Sequence, residues 1–512
     1  MAAIVAAIVN HASHLEQEKV VQIETLLSRF DGLTAAEQSQ ERASYVSAAF
    51  PLVFGPDAVV HGSNGYEPQR QVPWSANCWL QPRVIVRPAN AQQIAVALAL
   101  CRFFHVQFSI RGGGHLQIPG FTSNQDGVVI SLGAFDQVRL SEDKSTADIG
   151  VGLRWLEVYW QLEGHGVAVA GGRVPSVGVP GLLLGGGISF QNSQYGVGAM
   201  AIANYEVVLA NSQIINANAH ENPDLFWALK GGGSNFGIVT KIEMNTIPNQ
   251  IWTDVRIYPL SAAAQLRAAL MQYHDAIETD NKASLIYNAT NEIILVVYFY
   301  CEPIENPPIF QSFYDIPYLT SFVPPGIRTV YDLVQAVASV NEAEPSVHEF
   351  RTMSSRPSIE VYEAIERAHA EQAEALKDVE GIALTTVIQP MSSLAMQQTL
   401  KNGGSPLGLE PVGQQWFLTR ADWNHIHDEV RVREAVRKIV DAAEEAAKRT
   451  GVYLPYKYSN YAARDQDPLA SYGEENVRRL KEVARKYDPE GVFQELQNGG
   501  WLLSKVGSSL EG

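Results

Sequence analysis

The sequence predicts an α+β chain folded as two domains, on three observations. Its 512 residues exceed what one hydrophobic core normally organises. The first half sets glycine clusters (Gly112–Gly114, Gly171-Gly172, Gly185–Gly187, Gly231–Gly233) among short β-branched runs and modest helices, without the regular alternation of a βαβ array. Near Ile247-Pro248 the texture changes: glycine thins, proline-rich connections appear, and strands and helices lengthen.

Along the chain, the apolar stretch Met1–Val9 lacks a cationic leader and is short for a signal core. It continues into a segment where Leu15, Val20, Ile23 and Leu26 or Leu27 recur at helical spacing, so an amphipathic helix and an intracellular location are expected. Val84–Val86 reads as a strand, and Ala91–Phe104 as a helix with Ile94, Leu98 and Cys101 on one face. Val106–Ile110, Gly127–Leu132 and Asp148–Val151 read as strands, Trp155–Leu162 as a short helix, and Tyr205–Ala210 with Gln213–Ala217 as a hairpin. Asn222 is the expected N-cap of a helix with Pro223 at its first position, and Gly231–Gly233 stop it before a strand. From Thr253 to Trp423 a second domain is expected, with strand Ile293–Tyr300, helix Ile359–Leu376 and connections at Pro303–Pro308 and Pro324-Pro325. In Val432–Thr450, Val432, Val436, Ile439, Val440 and Ala443 form one helical face, and Gly451 ends it.

Hydrophobic residues at 46% and charged residues at 18% describe a globular chain. A formal charge of −17 repels nucleic acid and anionic membrane surfaces, although a local basic pocket can hold an anionic cofactor. No run is long enough to span a membrane. Cys78, Cys101 and Cys301 lack Cys-x-x-Cys spacing, which argues against a disulfide scaffold or a cysteine zinc site, and no metal is expected. Asn288-Ala289-Thr290 is a glycosylation sequon that matters only in a secreted protein.

Three segments carry chemistry. In Phe108-Ser-Ile-Arg111-Gly112-Gly113-Gly114-His115, glycines after a strand let backbone N–H groups converge on an anion, because no Cβ blocks the approach. The segment fits neither a Walker loop nor a dinucleotide fingerprint, and alone it is equally a glycine turn preceding a histidine. Val169–Ile188, glycine-dense and poor in charge, can line a planar ring system. The third, Asn222–Thr240, is by composition a structural helix stop.

Together with Tyr458-Ser-Asn460-Tyr461, Tyr472–Leu480 and Lys486–Phe493, these segments resemble the FAD-linked oxidases of the berberine-bridge-enzyme-like branch, in the vanillyl-alcohol oxidase superfamily. The resemblance implies an FAD-binding domain (PCMH type) built from residues 1–250 and 445–512, and a substrate domain, 251–444, of antiparallel sheet covered by helices. It places Arg111, Gly112, Gly113 and Gly114 around the FAD pyrophosphate, and His115 where a histidine is usually bonded to the flavin 8-methyl group. Val174 stands where many members carry a second, cysteinyl link, so the tether implied is single. Val177 occupies the position that helps decide whether oxygen reaches the reduced flavin, and its valine resembles that of oxidases. Gly172, Ser176, Gly178, Gly181, Gly185, Gly186, Ile188, Asn204 and Ile238 match further FAD contacts, with Ala203 replacing the aspartate that usually precedes Asn204. Tyr458 and Asn460 match residues lining the flavin, and Tyr461 a catalytic tyrosine base or, equally, a packing residue.

The activity implied is oxidation of a small molecule by hydride transfer to flavin N5, with O2 reoxidising the flavin to give H2O2. The apolar runs Trp416-Phe417-Leu418 and Tyr298-Phe299-Tyr300 point to an aromatic, polyketide or alkaloid-like substrate. Alternatives are a carbohydrate oxidase, a redox-neutral cyclase on the same scaffold, and a binding protein with a vestigial flavin. A glutamate of several members aligns roughly with Trp416, and His274, His348, His369, His425 and His427 sit in no motif and read mostly as surface residues. The oligomeric state is left open.

Overall fold

The computed structural model describes residue 8 and residues 17–338, 346–401 and 403–507. Most of the apolar N-terminal stretch therefore lies outside the described residues. The helix expected after it spans Gln17–Asp31 and buries Ile23, Leu27 and Phe30.

Three sheets organise the chain, which is α+β with two domains. The first contains β1 (Ala58–Val60), β2 (Val84–Val86), β3 (Phe108–Arg111) and β4 (Val128–Ser131) in the order β1-β2-β4-β3, with β2 and β3 parallel to β4. Parallel strands need a crossover, and helix Ala91–Phe104 supplies one. Asn90 caps it by accepting from the Gln93 amide, and His105 ends it in the left-handed conformation. The second sheet contains β5 (Val138–Leu140), β6 (Thr146–Gly150), β7 (Val167–Val169), β8 (Ile202–Val208), β9 (Ile214–Asn218) and β10 (Ile238–Pro248), in the order β5-β6-β10-β8-β9 with β7 on β10. The expected hairpin is β8–β9. Asn222 differs from expectation: it is left-handed (φ 49°) and its amide donates to the Asn216 carbonyl instead of capping the helix Pro223–Leu229.

The third sheet contains β11 (Gln250–Pro259), β12 (Ala283–Ala289), β13 (Ile293–Tyr300), β14 (Thr320–Thr329), β15 (Val347–Ser355), β16 (Ala383–Met391), β17 (Gln414–Trp423) and β18 (Tyr453–Leu454). Its order is β14-β11-β13-β12-β16-β17-β15-β18, every neighbouring pair antiparallel. Helices Ala263–Ala276, Ile359–Ala375 and Glu429–Arg449 cover one face, burying Leu266, Ile365, Val436 and Ile439 against it. Pro324 and Pro325 lie within β14 and not in a connection. β14 is an edge strand, where a missing N–H costs little, and its register with β11 shifts beside them. The covering helix runs to Arg449 and β18 follows it, so this layer extends to Leu454 and does not end at 444.

The last residues return to the first sheet. Phe108 donates its amide to the Leu496 carbonyl and accepts at its own carbonyl from Asn498, both at 2.8 Å. Among the described residues no helix is long and apolar enough to cross a membrane.

Candidate active site

A cavity of about 1070 Å³ lies between the uncovered face of the third sheet and the glycine-rich loops after β3 and β7. The loops make one wall because glycine lets two backbones touch. A Cβ on Gly113 would stand 2.5 Å from the Gly178 Cα, and one on Gly178 would stand 2.4 Å from the Gly113 nitrogen. Gly172 lies flat on Trp155, whose ring a Cβ would meet at 2.2 Å. Gly181 differs, since a Cβ there meets nothing within 4 Å and the residue faces the cavity.

His115 follows on this wall, its Nε2 3.2 Å from the Ser176 hydroxyl and its ring stacked on Trp74 at 4.2 Å. Burial pushes its pKa down to about 3, helped by the charges of Arg420 and Arg154 and by His348, so the imidazole is neutral and nucleophilic. Gly112, Gly114, Gly172, Ser176, Val177, Gly178, Gly185, Ile188, Ile238, Tyr458, Asn460 and Tyr461 join it in the lining. Three expected contacts are placed elsewhere. Arg111 is fully buried beneath the loop and donates to the Gln69 carbonyl. Gly186 packs against Leu407. Asn204 spends its amide on Asn216 and Asn218 of β9.

Tyr458 and Asn460 also tie the C-terminal segment to the loop. The Tyr458 hydroxyl accepts from the Ile188 amide (3.2 Å) and from Asn460 Nδ2 (2.9 Å), and Asn460 Nδ2 reaches the Leu182 carbonyl at 3.0 Å. Tyr461 stands edge-on to Phe350, accepts from Arg173 at 3.2 Å, and donates to Gln389 Oε1 at 3.5 Å. Arg173 also donates to Gln389.

The sheet wall follows the two-residue period of strands. Ile286 and Asn288 of β12, Leu295 and Val297 of β13, Thr385 and Val387 of β16, and Leu418, Arg420 and Asp422 of β17 face the cavity. Trp416 shares that face of β17 but is wholly buried against Tyr456 and Tyr458, and its indole donates to Gln414, so it holds no acid–base position. Phe417 and Tyr298 point into the helix-covered core, and the sheet wall of the cavity is mainly aliphatic, interrupted by Asn288, Thr385, Arg420 and Asp422. The sequon residues Asn288 and Thr290 line the cavity. His274, His348 and His369 are buried, contrary to the surface reading, whereas His425 and His427 are exposed. His348, Asp422 and Arg420 form a cavity cluster that no motif announces; the signal available was their shared strand parity.

FAD fits this wall. The touching glycine backbones make a cradle that side chains would fill, Gly181 opens toward the cavity, and His115 is neutral. The Thr122 hydroxyl, also in the lining, is buried with no protein partner among the described residues. The volume lies at the upper end of the range of about 300–1,000 Å³ usual for small-molecule sites, as a large cofactor requires. Val174 is 41% exposed and carries no thiol for a second link.

A family model described as FAD binding domain matches residues 82–218, and one described as berberine and berberine like matches residues 457–498. An FAD-dependent monooxygenase of Arthrobotrys oligospora is 36% identical over 88% of this chain and 88% of its own length. A bifunctional solanapyrone synthase of Alternaria solani is 32% identical over 87% of each. Among solved structures, 6-hydroxy-D-nicotine oxidase from Arthrobacter nicotinovorans superposes with a TM-score of 0.74 at 20% identity, covering 88% of this chain and 99% of that one. Glucooligosaccharide oxidase from Acremonium strictum does so at 0.73 and 21%, covering 88% and 96%; at these identities the likeness is one of fold. The chain belongs to the FAD-dependent oxidoreductases that join an FAD binding domain to a berberine-like C-terminal segment.

Proposed function

We propose that the protein oxidises a small, mainly apolar metabolite of the polyketide, aromatic or alkaloid kind, with FAD held through a single bond to His115. The observation that carries this reading is one cavity joining a glycine-and-histidine cofactor wall to a mainly aliphatic sheet wall, with Tyr461 in its lining. The Gly112–Gly114 loop and the segment Gly178–Gly185 would hold the cofactor. Bound there, FAD would supply a two-electron acceptor for hydride and, through O2, a route to H2O2. Val177, on the loop between Ser176 and Gly178, is the side chain that would set oxygen access.

The residues on the sheet side orient the substrate and move protons. Tyr461, held between Arg173 and Gln389, would in its ionised form withdraw a proton as hydride leaves the substrate, and the largely apolar wall would exclude water from the reacting carbon. The names of the relatives, FAD-dependent monooxygenases and a solanapyrone synthase, support a metabolite substrate, and the lack of a thiol at Val174 speaks against a doubly linked carbohydrate oxidase. The test is an anaerobic screen of candidate alcohols, phenols, alkaloids and sugars, followed by admission of air. Bleaching of the flavin by a metabolite, then reoxidation with one peroxide per turnover, is expected. Turnover without bleaching or oxygen uptake would favour a redox-neutral cyclase, and oxygen incorporated into product from isotope-labelled O2 would favour a monooxygenase.

A further inference from the structure

The cavity holds a second polar station that the reaction above does not use. His348 of β15 is 3% exposed and lines the cavity. It pairs in register with Asp422 of β17, and its Nδ1 lies 2.6 Å from Asp422 Oδ1. Arg420 anchors that carboxylate through Nε to Oδ1 (2.9 Å) and Nη2 to Oδ2 (2.8 Å). With Nδ1–H donated to the ionised Asp422, Nε2 is left with its lone pair. The Ser346 hydroxyl, two residues back on the same face, lies 3.2 Å from Nε2 and donates to it, so the position suits an O–H donor, and a substrate hydroxyl takes it by turning the serine hydroxyl away. Trp74 stacks on the His348 ring at 3.4 Å and 6°, and it stacks on His115 as well.

The charged and titratable groups facing His348 are Asp422 and Arg420 from β17 and His115 from the glycine loop. Burial holds His348 below the ordinary histidine value, against the opposing pull of Asp422. Burial would raise Asp422, but the hydrogen bond from His348 and the charge of Arg420 outweigh it and keep the carboxylate ionised. The imidazole is therefore a neutral acceptor. On the same face, Phe350 stands beside Trp74 at 5.8 Å and beside Tyr461 at 6.2 Å, so a planar molecule lying over Phe350 can reach both stations.

We propose that His348, positioned by Asp422 and Arg420, recognises a hydroxyl group of the substrate as a hydrogen-bond donor to Nε2, at a point distinct from the carbon that loses hydride. The substrate class is then a hydroxylated planar molecule, a phenol or an enol, and its O-methyl ether is rejected. The assignment rests on the cavity being the substrate pocket. It does not depend on which bond is oxidised.

The test uses the flavin-loaded protein and a matched pair of probes, para-cresol and para-methylanisole, titrated at neutral pH by calorimetry or by perturbation of the flavin spectrum. The wild type is expected to prefer the phenol by about tenfold or more. His348→Phe should abolish the preference, and Asp422→Asn, which frees the ring to present Nε2–H, should abolish or invert it; Tyr461→Phe should leave it. Equal binding of both probes by the wild type, binding of neither, or a preference that survives in both His348→Phe and Asp422→Asn would overturn the proposal. Because binding is read without turnover, failure of the anaerobic screen would sink the oxidase reading and leave this result standing.

Discussion

A histidine can attack an electrophilic carbon only while its ring is neutral, and burial keeps His115 in that state down to a pKa of about 3. The proposed tether follows from this. Acid precipitation should leave the flavin colour with the wild-type protein and release it from His115→Ala, and colour released equally from both would remove the bond. Gly113 and Gly178 make a second prediction at this scale. A methyl group at Gly113 meets backbone, which cannot rotate away. Gly113→Ala should cost about 1–3 kcal/mol of stability and lower the bound flavin, read as the thermal midpoint and the ratio of flavin to protein absorbance. At residue scale the glycine loops and His115 were legible because close backbone approach has a compositional signature. Asn204 and His348 were not, since sequence shows neither that Asn204 spends its amide on β9 nor that His348 meets Asp422, 74 positions away.

A strand divides its residues between two environments, and β17 shows the consequence. Phe417 packs in the helix-covered core, and Leu418 faces the cavity. Phe417→Ala should therefore cost about 3–5 kcal/mol in denaturant unfolding. Leu418, packed at the cavity with Phe350 and Val387, should cost less when cut to Ala, about 2 kcal/mol, and should also raise substrate KM. Equal destabilisation by the two would contradict the assigned faces. Elements with strong periodicity were read closely from sequence: helix Ala91–Phe104 has the predicted bounds, and Ile293–Tyr300 is β13. What failed was partner-dependent. Pro324-Pro325 reads as a break unless β14 is known to be an edge, and Tyr298 and Phe417 read as a substrate wall unless the covered face is known.

At the scale of the whole molecule, the third sheet, its covering helices and the returning C-terminal segment meet around Glu349. This carboxyl is 3% exposed, with Arg433 Nε at 3.6 Å and Arg464 Nη2 at 3.9 Å. Burial pushes its pKa up to about 7, against the lowering influence of both arginines. The folded protein thus holds a proton that the unfolded chain, with an ordinary carboxyl near 4.5, gives up. The stability this adds is fully present below about pH 4.5 and is lost as pH rises through about 7. Glu349→Gln keeps the shape and removes the ionisation. Its unfolding midpoint should change less than that of the wild type between these two pH values, with the two proteins diverging most above pH 7. Identical slopes for both proteins across that window would mean that the arginines keep Glu349 ionised throughout, and that the three layers are joined there by an ion pair and not by a protonated acid.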